Sequence, residues 1–168
     1  EVSYESEFRQ EGPMVISNTV FTENASRQGG ALCSGYADLV DISDSVFENN
    51  IALDKGGAAS FRKSFVSIKK SDFIGNISRS SADGVATDDS SLMIDDSVFV
   101  NNSSEFPSGA LMVTNSPDFI LKNSYFYGNS AMVGDGASIT MATGKIINSV
   151  FEKNNATWIS KNIQVSFC

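Results

Sequence analysis

The sequence has no histidine, and its 168 residues include only 3 prolines and 2 cysteines. The missing histidine excludes a Ser-His-Asp triad and removes the residue that most often serves as a general base or as a zinc ligand. No apolar run approaches the roughly 20 residues of a membrane-spanning helix, so the chain is not predicted to span a membrane. Acidic residues outnumber basic ones by 20 to 12, and the net charge of −8 would repel a phosphate backbone, so no nucleic acid partner is expected.

A repeat of about 26 residues fills most of this polar chain. Six times a phenylalanine is followed three residues later by an asparagine, and the steps between successive phenylalanines are 26, 26, 26, 27 and 25 residues. The repeated residues are Phe21, Phe47, Phe73, Phe99, Phe126 and Phe151, with Asn24, Asn50, Asn76, Asn102, Asn129 and Asn154. Each phenylalanine also has an aliphatic residue five positions before it, a hydroxyl residue two positions before it, and (except the last) a glycine about ten positions after it. Self-similarity at such a period indicates a solenoid.

The content of each period decides between kinds of solenoid. Helical repeats need amphipathic stretches of about a dozen residues, and none lies between the glycines. Each period instead holds three short strand-like pieces separated by turn residues such as Lys55-Gly56-Gly57. We therefore predict an all-β fold, a right-handed parallel β-helix of about six coils of ~26 residues with three short strands per coil. Residues 1–168 are predicted to be a single module, with regular repeats over 14–157, and to be a segment of a longer polypeptide or assembly.

Successive coils of a β-helix stack about 4.8 Å apart, so equivalent residues lie above one another in columns. The phenylalanine column is predicted to be an interior aromatic stack that supplies much of the apolar burial. The asparagine column is predicted to form a ladder of amide hydrogen bonds at a turn, where asparagine also tolerates a left-handed backbone. The aliphatic column is predicted to line a second interior wall.

The two cysteines are too few for a disulfide framework. Cys33 follows the first glycine corner and is predicted to be a small core residue. Cys168 lies about five coils further on, roughly 25 Å away at the coil spacing, which is beyond disulfide reach. Any partner of Cys168 is therefore expected outside this chain.

The alternation of Phe-x-x-Asn with Gly-Gly-Ala resembles the passenger regions of the chlamydial polymorphic outer-membrane proteins. The Phe-x-x-Asn copies cover residues 21 to 154, and Gly-Gly-Ala is intact at residues 29–31 and 56–58. The resemblance implies a secreted, surface-displayed β-helix, located extracellularly or at the cell surface. It implies adhesion as a role, because adhesion is the usual role of the chlamydial members.

Three function classes follow from this reading. The first is a non-enzymatic structural or adhesive module, and the second is a component of an extracellular filament or appendage. The third is a polysaccharide-active enzyme of the pectate-lyase kind, either a hydrolase or a lyase. Asp88-Asp89 and Asp95-Asp96 offer the paired carboxylates that glycoside hydrolysis uses, or the clustered acids that a calcium-dependent lyase needs. Stacking places lysines of neighbouring coils beside Asp95 and Asp96, so the preferred interpretation is a solvated charge ladder. No catalytic residue, metal site or cofactor is predicted.

Two surface features remain. The residues just before the phenylalanines point outward and form an apolar stripe, which is either a lateral contact surface or a consequence of the β-propensity of valine. The stripe consists of Val20, Val46, Val98, Tyr125 and Val150. Asn-x-Ser/Thr occurs at Asn24, Asn76, Asn101, Asn102 and Asn155. The repeat itself generates such sequences, and only Asn101 and Asn155, which lie off the ladder, are predicted as possible glycosylation sites.

The ends of a solenoid present unpaired strand edges and an open core. We expect further coils of the same polypeptide, or protein partners, to cover them. Host or surface glycans are the other predicted partners. Near the C-terminus, residues 163–167 alternate like one more strand, and Trp158 with this strand is the predicted alternative, a local cap.

Overall fold

The computed structural model describes residues 10–80, 82, 84–106, 108–133, 136–159 and 163–166. Within these residues the chain forms 24 β-strands, numbered β1 to β24 in chain order, and all their pairings are parallel. Every fourth strand joins the same sheet, so the strands build four sheets of six strands each. This architecture confirms the predicted parallel β-solenoid with coils of about 26 residues.

The four sheets are named A to D in the order in which the chain visits them. Sheet A contains β1 (Gln10–Ser17), β5 (Ala37–Ser43), β9 (Phe65–Lys69), β13 (Ser91–Asp95), β17 (Phe119–Lys122) and β21 (Gly144–Ile147). Sheet B contains β2 (Val20–Thr22), β6 (Val46–Glu48), β10 (Asp72–Ile74), β14 (Val98–Val100), β18 (Tyr125–Tyr127) and β22 (Val150–Glu152). Sheet C contains β3 (Ala25–Gln28), β7 (Ile51–Lys55), β11 (Ile77–Ser78), β15 (Ser103–Ser104), β19 (Ser130–Val133) and β23 (Asn155–Ile159). Sheet D contains β4 (Leu32–Gly35), β8 (Ala59–Arg62), β12 (Val85–Asp88), β16 (Leu111–Thr114), β20 (Ala137–Thr140) and β24 (Ile163–Ser166).

Each coil has four strands, one more than the sequence analysis predicted. The additional strands belong to sheet C, where the sequence indicated turns after the ladder asparagines. Some of them are only two residues long, such as β11 and β15. Segments of two residues are too short to show the alternation typical of a strand, and their extended backbone is fixed by parallel pairing with the coils on either side.

A single residue with left-handed backbone turns the chain at each of the four corners of a coil. In the third coil these residues are Lys70, Gly75, Ala82 and Asp89, with φ between 46° and 61°. The backbone N–H of each donates to a carbonyl of the following coil, at 2.9 to 3.1 Å. Stacking therefore satisfies the polar backbone at the corners as well as in the strands, which offsets the strain of a left-handed non-glycine residue.

The interior is a continuous apolar core. The predicted phenylalanine stack is present, with successive ring centroids 4.5 to 4.9 Å apart and interplanar angles of at most 15°. Phe47, Phe73, Phe99 and Phe126 are completely buried. The aliphatic column packs beside them, with Ile42, Ile68, Ile94 and Leu121 also completely buried. No helix among the described residues has the length and apolar character that a membrane crossing needs.

The prediction that Cys33 is a core residue was wrong. Cys33 is exposed and lies on the outer face of sheet D, in register with Ser60, Ala86 and Met112. Within β4 the neighbouring residues Leu32 and Ser34 are more buried than Cys33, and strand alternation places Cys33 on the opposite face. Facing direction alternates with every residue of a strand, so an error of one position exchanges core and surface. Residues Phe167 and Cys168, and the side chain of Trp158, lie outside the part of the structure that is described.

Candidate functional site

The asparagine ladder runs along the corner between sheets B and C and confirms the prediction. The side-chain oxygen of Asn76 accepts from both the backbone N–H and the side-chain amide of Asn50, and Asn102 does the same for Asn76, all at 3.0 Å. Each amide also donates to a phenylalanine carbonyl one coil back, as Asn76 does to Phe47 at 2.9 Å. The ladder is buried from Asn50 to Asn154, whereas Asn24 in the first coil is exposed. Its role is structural, because every described contact is to another coil.

A second ladder is made of hydroxyl groups and runs along the corner between sheets A and B. The hydroxyl of Ser71 accepts from the backbone N–H of Ser45 at 3.2 Å and donates to the Lys69 carbonyl at 2.8 Å. The same pattern repeats through Ser97, Ser124 and Ser149. The hydroxyl two positions before each phenylalanine signalled this column in the sequence, but its hydrogen-bonding role only becomes visible when the coils are stacked.

The predicted apolar stripe lies on the outer face of sheet B. Val20 is 64% exposed and Val150 is 51% exposed, whereas Val46, Val98 and Tyr125 between them are half-buried. Asp72 interrupts the stripe, since it pairs in register with Val46 on one side and Val98 on the other. Burial raises the pKa of the Asp72 carboxyl above its ordinary value, because these apolar neighbours disfavour the charged form. A contact role for the stripe stays a prediction.

The acid pair Asp95-Asp96 sits within the expected charge ladder. Asp95 pairs in register with Lys69 and Lys122, and its carboxylate lies 3.0 Å from the Lys122 ammonium. It also accepts from the Asn123 amide at 2.9 Å. The hydrogen bonds from Asn123 and Lys122 lower the pKa of Asp95, which is opposite to the shift that a general acid needs. Asp96 is one of the left-handed corner residues, so the two carboxylates belong to different parts of the coil.

The second acid pair is Asp88-Asp89. Asp88 ends β12, and its carboxylate accepts from the Asn115 amide at 3.4 Å. Asp89 is the corner residue that follows it. No group of three or more metal-ligating His, Cys, Asp or Glu side chains occurs among the residues that the structure describes.

The two predicted glycosylation sites are both exposed. Asn101 occupies a left-handed corner of the fourth coil, and Asn155 begins β23. Asn76 and Asn102, which carry the same sequence signal, are completely buried in the ladder. Modification at Asn101 and Asn155 stays a prediction.

The sequence analysis missed a groove on the outer face of sheet A. Its floor consists of Leu39, Phe65, Ser67, Met93 and Ile120. Charged residues line the side next to sheet D, namely Asp38, Lys63 and Asp89, and Asp118 lies at the end near Ile120. We call these nine residues the sheet A groove. The signal was weak because each coil contributes a different residue type, so no repeated letter marks the column.

A comparison with protein families bears on the identity of this repeat. The second coil supplies Phe47, Asn50, Gly56 and Gly57, the residues on which the resemblance to chlamydial passenger regions rests. Residues 44–62 match the Chlamydia polymorphic membrane protein repeat. No curated protein and no solved structure matches the chain. The match confirms the resemblance over part of the second coil. The register shows that the other coils are built on the same plan. The repeat and the solenoid together fit a β-helix module of a surface protein.

Proposed function

We propose that this chain is a non-enzymatic β-helix module, displayed extracellularly or at the cell surface, where it acts as a structural and adhesive element. The observation that carries the proposal is the match of residues 44–62 to the Chlamydia polymorphic membrane protein repeat, because this repeat is named for membrane proteins. The stacked architecture supports it, since the interior ladders hold the fold together and leave the outer faces free to vary.

The outer columns vary in the way that a recognition surface requires. Along sheet A, successive coils present Val15, Asp41, Ser67, Met93 and Ile120 at one outward position. The inward position beside it keeps aliphatic residues in every coil, for example Ile42 and Ile68. Variable outer positions on a constant interior are what a scaffold that carries a contact surface needs, and they support the proposal.

The absence of enzymatic activity is part of the proposal. The support is the state of Asp95, whose carboxylate is neutralised by Lys122 and hydrogen-bonded by Asn123. A carboxylate held in this way is stabilised in its charged form, so at neutral pH it carries no proton that it could donate as a general acid. Cleavage of polygalacturonate by the purified chain in the presence of Ca²⁺, detected by ultraviolet absorbance of the unsaturated product, would contradict this part.

A filament component is the second candidate. It is favoured by the stripe on sheet B, whose end residues Val20 and Val150 are exposed. The open ends of the solenoid are consistent with either candidate, since among the described strands β1 to β4 and β21 to β24 each pair on one side only. Further coils or protein partners are the proposed occupants of both ends. Polymers of the purified chain that Val46→Asp and Val98→Asp abolish would favour this candidate.

The surface location is tested with the full-length protein in the cells that produce it. Cys33 is exposed and lies on an outer face, so a membrane-impermeant maleimide should label it on intact cells. A Cys33→Ser variant gives the background from any other thiol. Labelling that appears only after cell lysis would contradict surface display. For adhesion, beads coated with the chain should bind cells, and an excess of soluble chain should compete.

A further inference from the structure

The sheet A groove differs from the other outer faces in the polar atoms that it leaves without partners. The Ser67 hydroxyl oxygen and one carboxylate oxygen of Asp41 are both buried and make no hydrogen bond to any described residue. The two residues are direct neighbours, because Asp41 in β5 pairs in register with Ser67 in β9. Ser67 is only 8% exposed and lies in the groove floor. Buried polar groups are nearly always hydrogen-bonded, so this pair marks a place where a ligand can supply the partner.

Apolar side chains flank this polar pair. Phe65 is 61% exposed and lies between the charged side of the groove, next to sheet D, and the rest of its floor. Leu39, Met93 and Ile120 continue the apolar surface across the neighbouring coils. An aromatic side chain this exposed, beside unpartnered hydroxyl and carboxylate oxygens, suits a ligand that has an apolar face and hydroxyl groups on its edge.

The backbone of the groove cannot recognise an extended peptide. Strands β5, β9, β13 and β17, which form its floor, each pair with a neighbour on both sides. Their N–H and C=O groups are therefore used within the sheet, and no free edge is offered for an added strand. A ligand must therefore be recognised by side chains. The unpartnered oxygens of Ser67 and Asp41 favour a ligand that has hydroxyl donors.

The charge of the groove selects further among such ligands. Asp38, Asp89 and Asp118 line it, and Lys63 is the opposing charge among its lining residues. Asp41 lies beside Ser67 in the same sheet. The Lys63 ammonium also lies over the Tyr36 ring, 5.1 Å from its centroid. A carboxylated or sulfated sugar would meet a net negative surface and be repelled.

We propose that the sheet A groove binds an oligosaccharide that carries no carboxylate or sulfate group, with a sugar ring stacked on Phe65 and hydroxyl groups bonded to Ser67 and Asp41. Rotation between staggered rotamers turns the serine hydroxyl or the carboxylate toward the bound sugar. An uncharged oligosaccharide would then be the ligand in the adhesive role proposed above. The biological purpose of this binding rests on that proposed role.

The methionines of the chain provide a local readout. Met93 lies in the groove, whereas Met112 and Met141 lie elsewhere on the solenoid. The folded chain is labelled at its methionine methyl groups with carbon-13 and titrated with two uncharged hexamers, cellohexaose and the hexamer of N-acetylglucosamine. We expect at least one of them to shift the Met93 resonance and to leave those of Met112 and Met141 in place. Hexagalacturonate, which has the same length and a charge on each ring, should leave Met93 unshifted.

Matched variants test the three contacts. Phe65→Ala should weaken binding at least about fivefold, because the stacking surface is lost, whereas Phe106→Ala, which removes another exposed ring, should not. Ser67→Ala should weaken binding about threefold or more without lowering the melting temperature of the free chain, since an unpartnered hydroxyl is removed. Ser60→Ala, on the outer face of sheet D, is its control. Asp41→Asn should weaken binding, and the corner variant Asp96→Asn should not.

Several outcomes would overturn the proposal. They are an unshifted Met93 with both uncharged hexamers, an equal response to hexagalacturonate, or a stronger response to a lysine-rich peptide. A Ser67→Ala variant that binds normally and melts at a lower temperature would assign the serine a purely structural role and would also overturn it. If the coated beads adhere to cells but Met93 does not shift, the groove proposal fails and the adhesive function stands. If Met93 shifts but the beads do not adhere, the adhesive function fails and the groove still binds sugar.

Discussion

The side-chain oxygen of Asn76 accepts two hydrogen bonds from Asn50, one from its backbone N–H and one from its amide group, each at 3.0 Å. One side-chain oxygen therefore satisfies both a backbone donor and a side-chain donor of the preceding coil. Because the amide nitrogen of Asn76 is itself used by Asn102 and Phe47, the site needs a residue with an acceptor and a donor on the same planar group. Asparagine is the residue short enough to meet this demand at a tight corner.

The first prediction concerns that demand. Asn76→Asp keeps the acceptor but replaces the donor by a second oxygen, which then faces the oxygens of Asn102 and Phe47 in a buried site. We expect the free energy of unfolding, measured with urea at neutral pH, to fall by about 3 kcal/mol or more. The loss should be smaller at about pH 4, where a protonated carboxyl recovers a donor. Asn101→Asp, one residue from the ladder and exposed, should cost less than about 0.5 kcal/mol. Equal losses in Asn76→Asp and Asn101→Asp would contradict a buried ladder.

The second prediction concerns the aromatic stack. Phe73 is completely buried, with its ring 4.9 Å from that of Phe47 and 4.7 Å from that of Phe99. Phe73→Ala should lower the free energy of unfolding by about 3–5 kcal/mol, because it removes the stacking contacts with both neighbouring rings and leaves a cavity. The exposed Phe106 supplies the control, and Phe106→Ala should change stability by less than about 1 kcal/mol. A Phe73→Ala variant as stable as the parent would show that the column is not the core.

The third prediction separates two glycines with similar backbone angles. Gly56 has φ of 69°, and a Cβ there would lie 2.3 Å from the Ala59 carbonyl oxygen, which the packed backbone holds in place. Gly75 has φ of 61°, and its Cβ would meet only the side-chain oxygen of Asn49, at 2.6 Å. Gly56→Ala should therefore cost more than about 2 kcal/mol, whereas Gly75→Ala should cost about 1 kcal/mol, the strain of the backbone alone. Urea unfolding compares the two variants, and a reversed order would contradict the close approach at Gly56.

The fourth prediction is that two aspartates respond to pH with opposite signs. Burial raises the pKa of Asp72, so its charged form weakens the folded state above the ordinary pKa of aspartate. Asp72→Asn should then raise stability at neutral pH, and the gain should vanish near pH 3, where the acid is protonated in both states. Hydrogen bonds from Asn123 and Lys122 lower the pKa of Asp95, so its charge stabilises the folded state above the ordinary pKa.

For Asp95→Asn we therefore expect a loss of stability at neutral pH that disappears as the pH falls through the lowered pKa, toward about pH 2. Both effects should stay below about 1 kcal/mol, because the two carboxylates are partly solvated. Thermal melting of the parent and the two variants between about pH 2 and pH 8 measures them. Parallel pH profiles for the two variants would contradict the assigned environments.

Much of this structure could be predicted from particular residues. The regular Phe-x-x-Asn spacing was sufficient for the coil length, the interior stack and the asparagine ladder, because each of these columns repeats one residue type under one steric demand. The two-residue strands β11 and β15 could not be predicted in the same way. Two residues such as Ile77-Ser78 or Ser103-Ser104 are too short to show a strand pattern, and their extended backbone is fixed when the neighbouring coil supplies hydrogen-bond partners.

The repeating part of this protein follows directly from the order of its residues. Each interior column meets the same steric demand in every coil, so the same residue type recurs six times along the chain. Which residues meet on the outer faces depends instead on how the coils stack. Leu39, Phe65, Met93 and Ile120 are separated along the chain by about 26 residues each and share no residue type, yet they meet because coil stacking places them on the outer face of one sheet. Facing direction alternates with every residue of a strand, so an error of one position, as at Cys33, exchanges core and surface. Only the pairing of the strands shows whether such a residue faces the core or the surface.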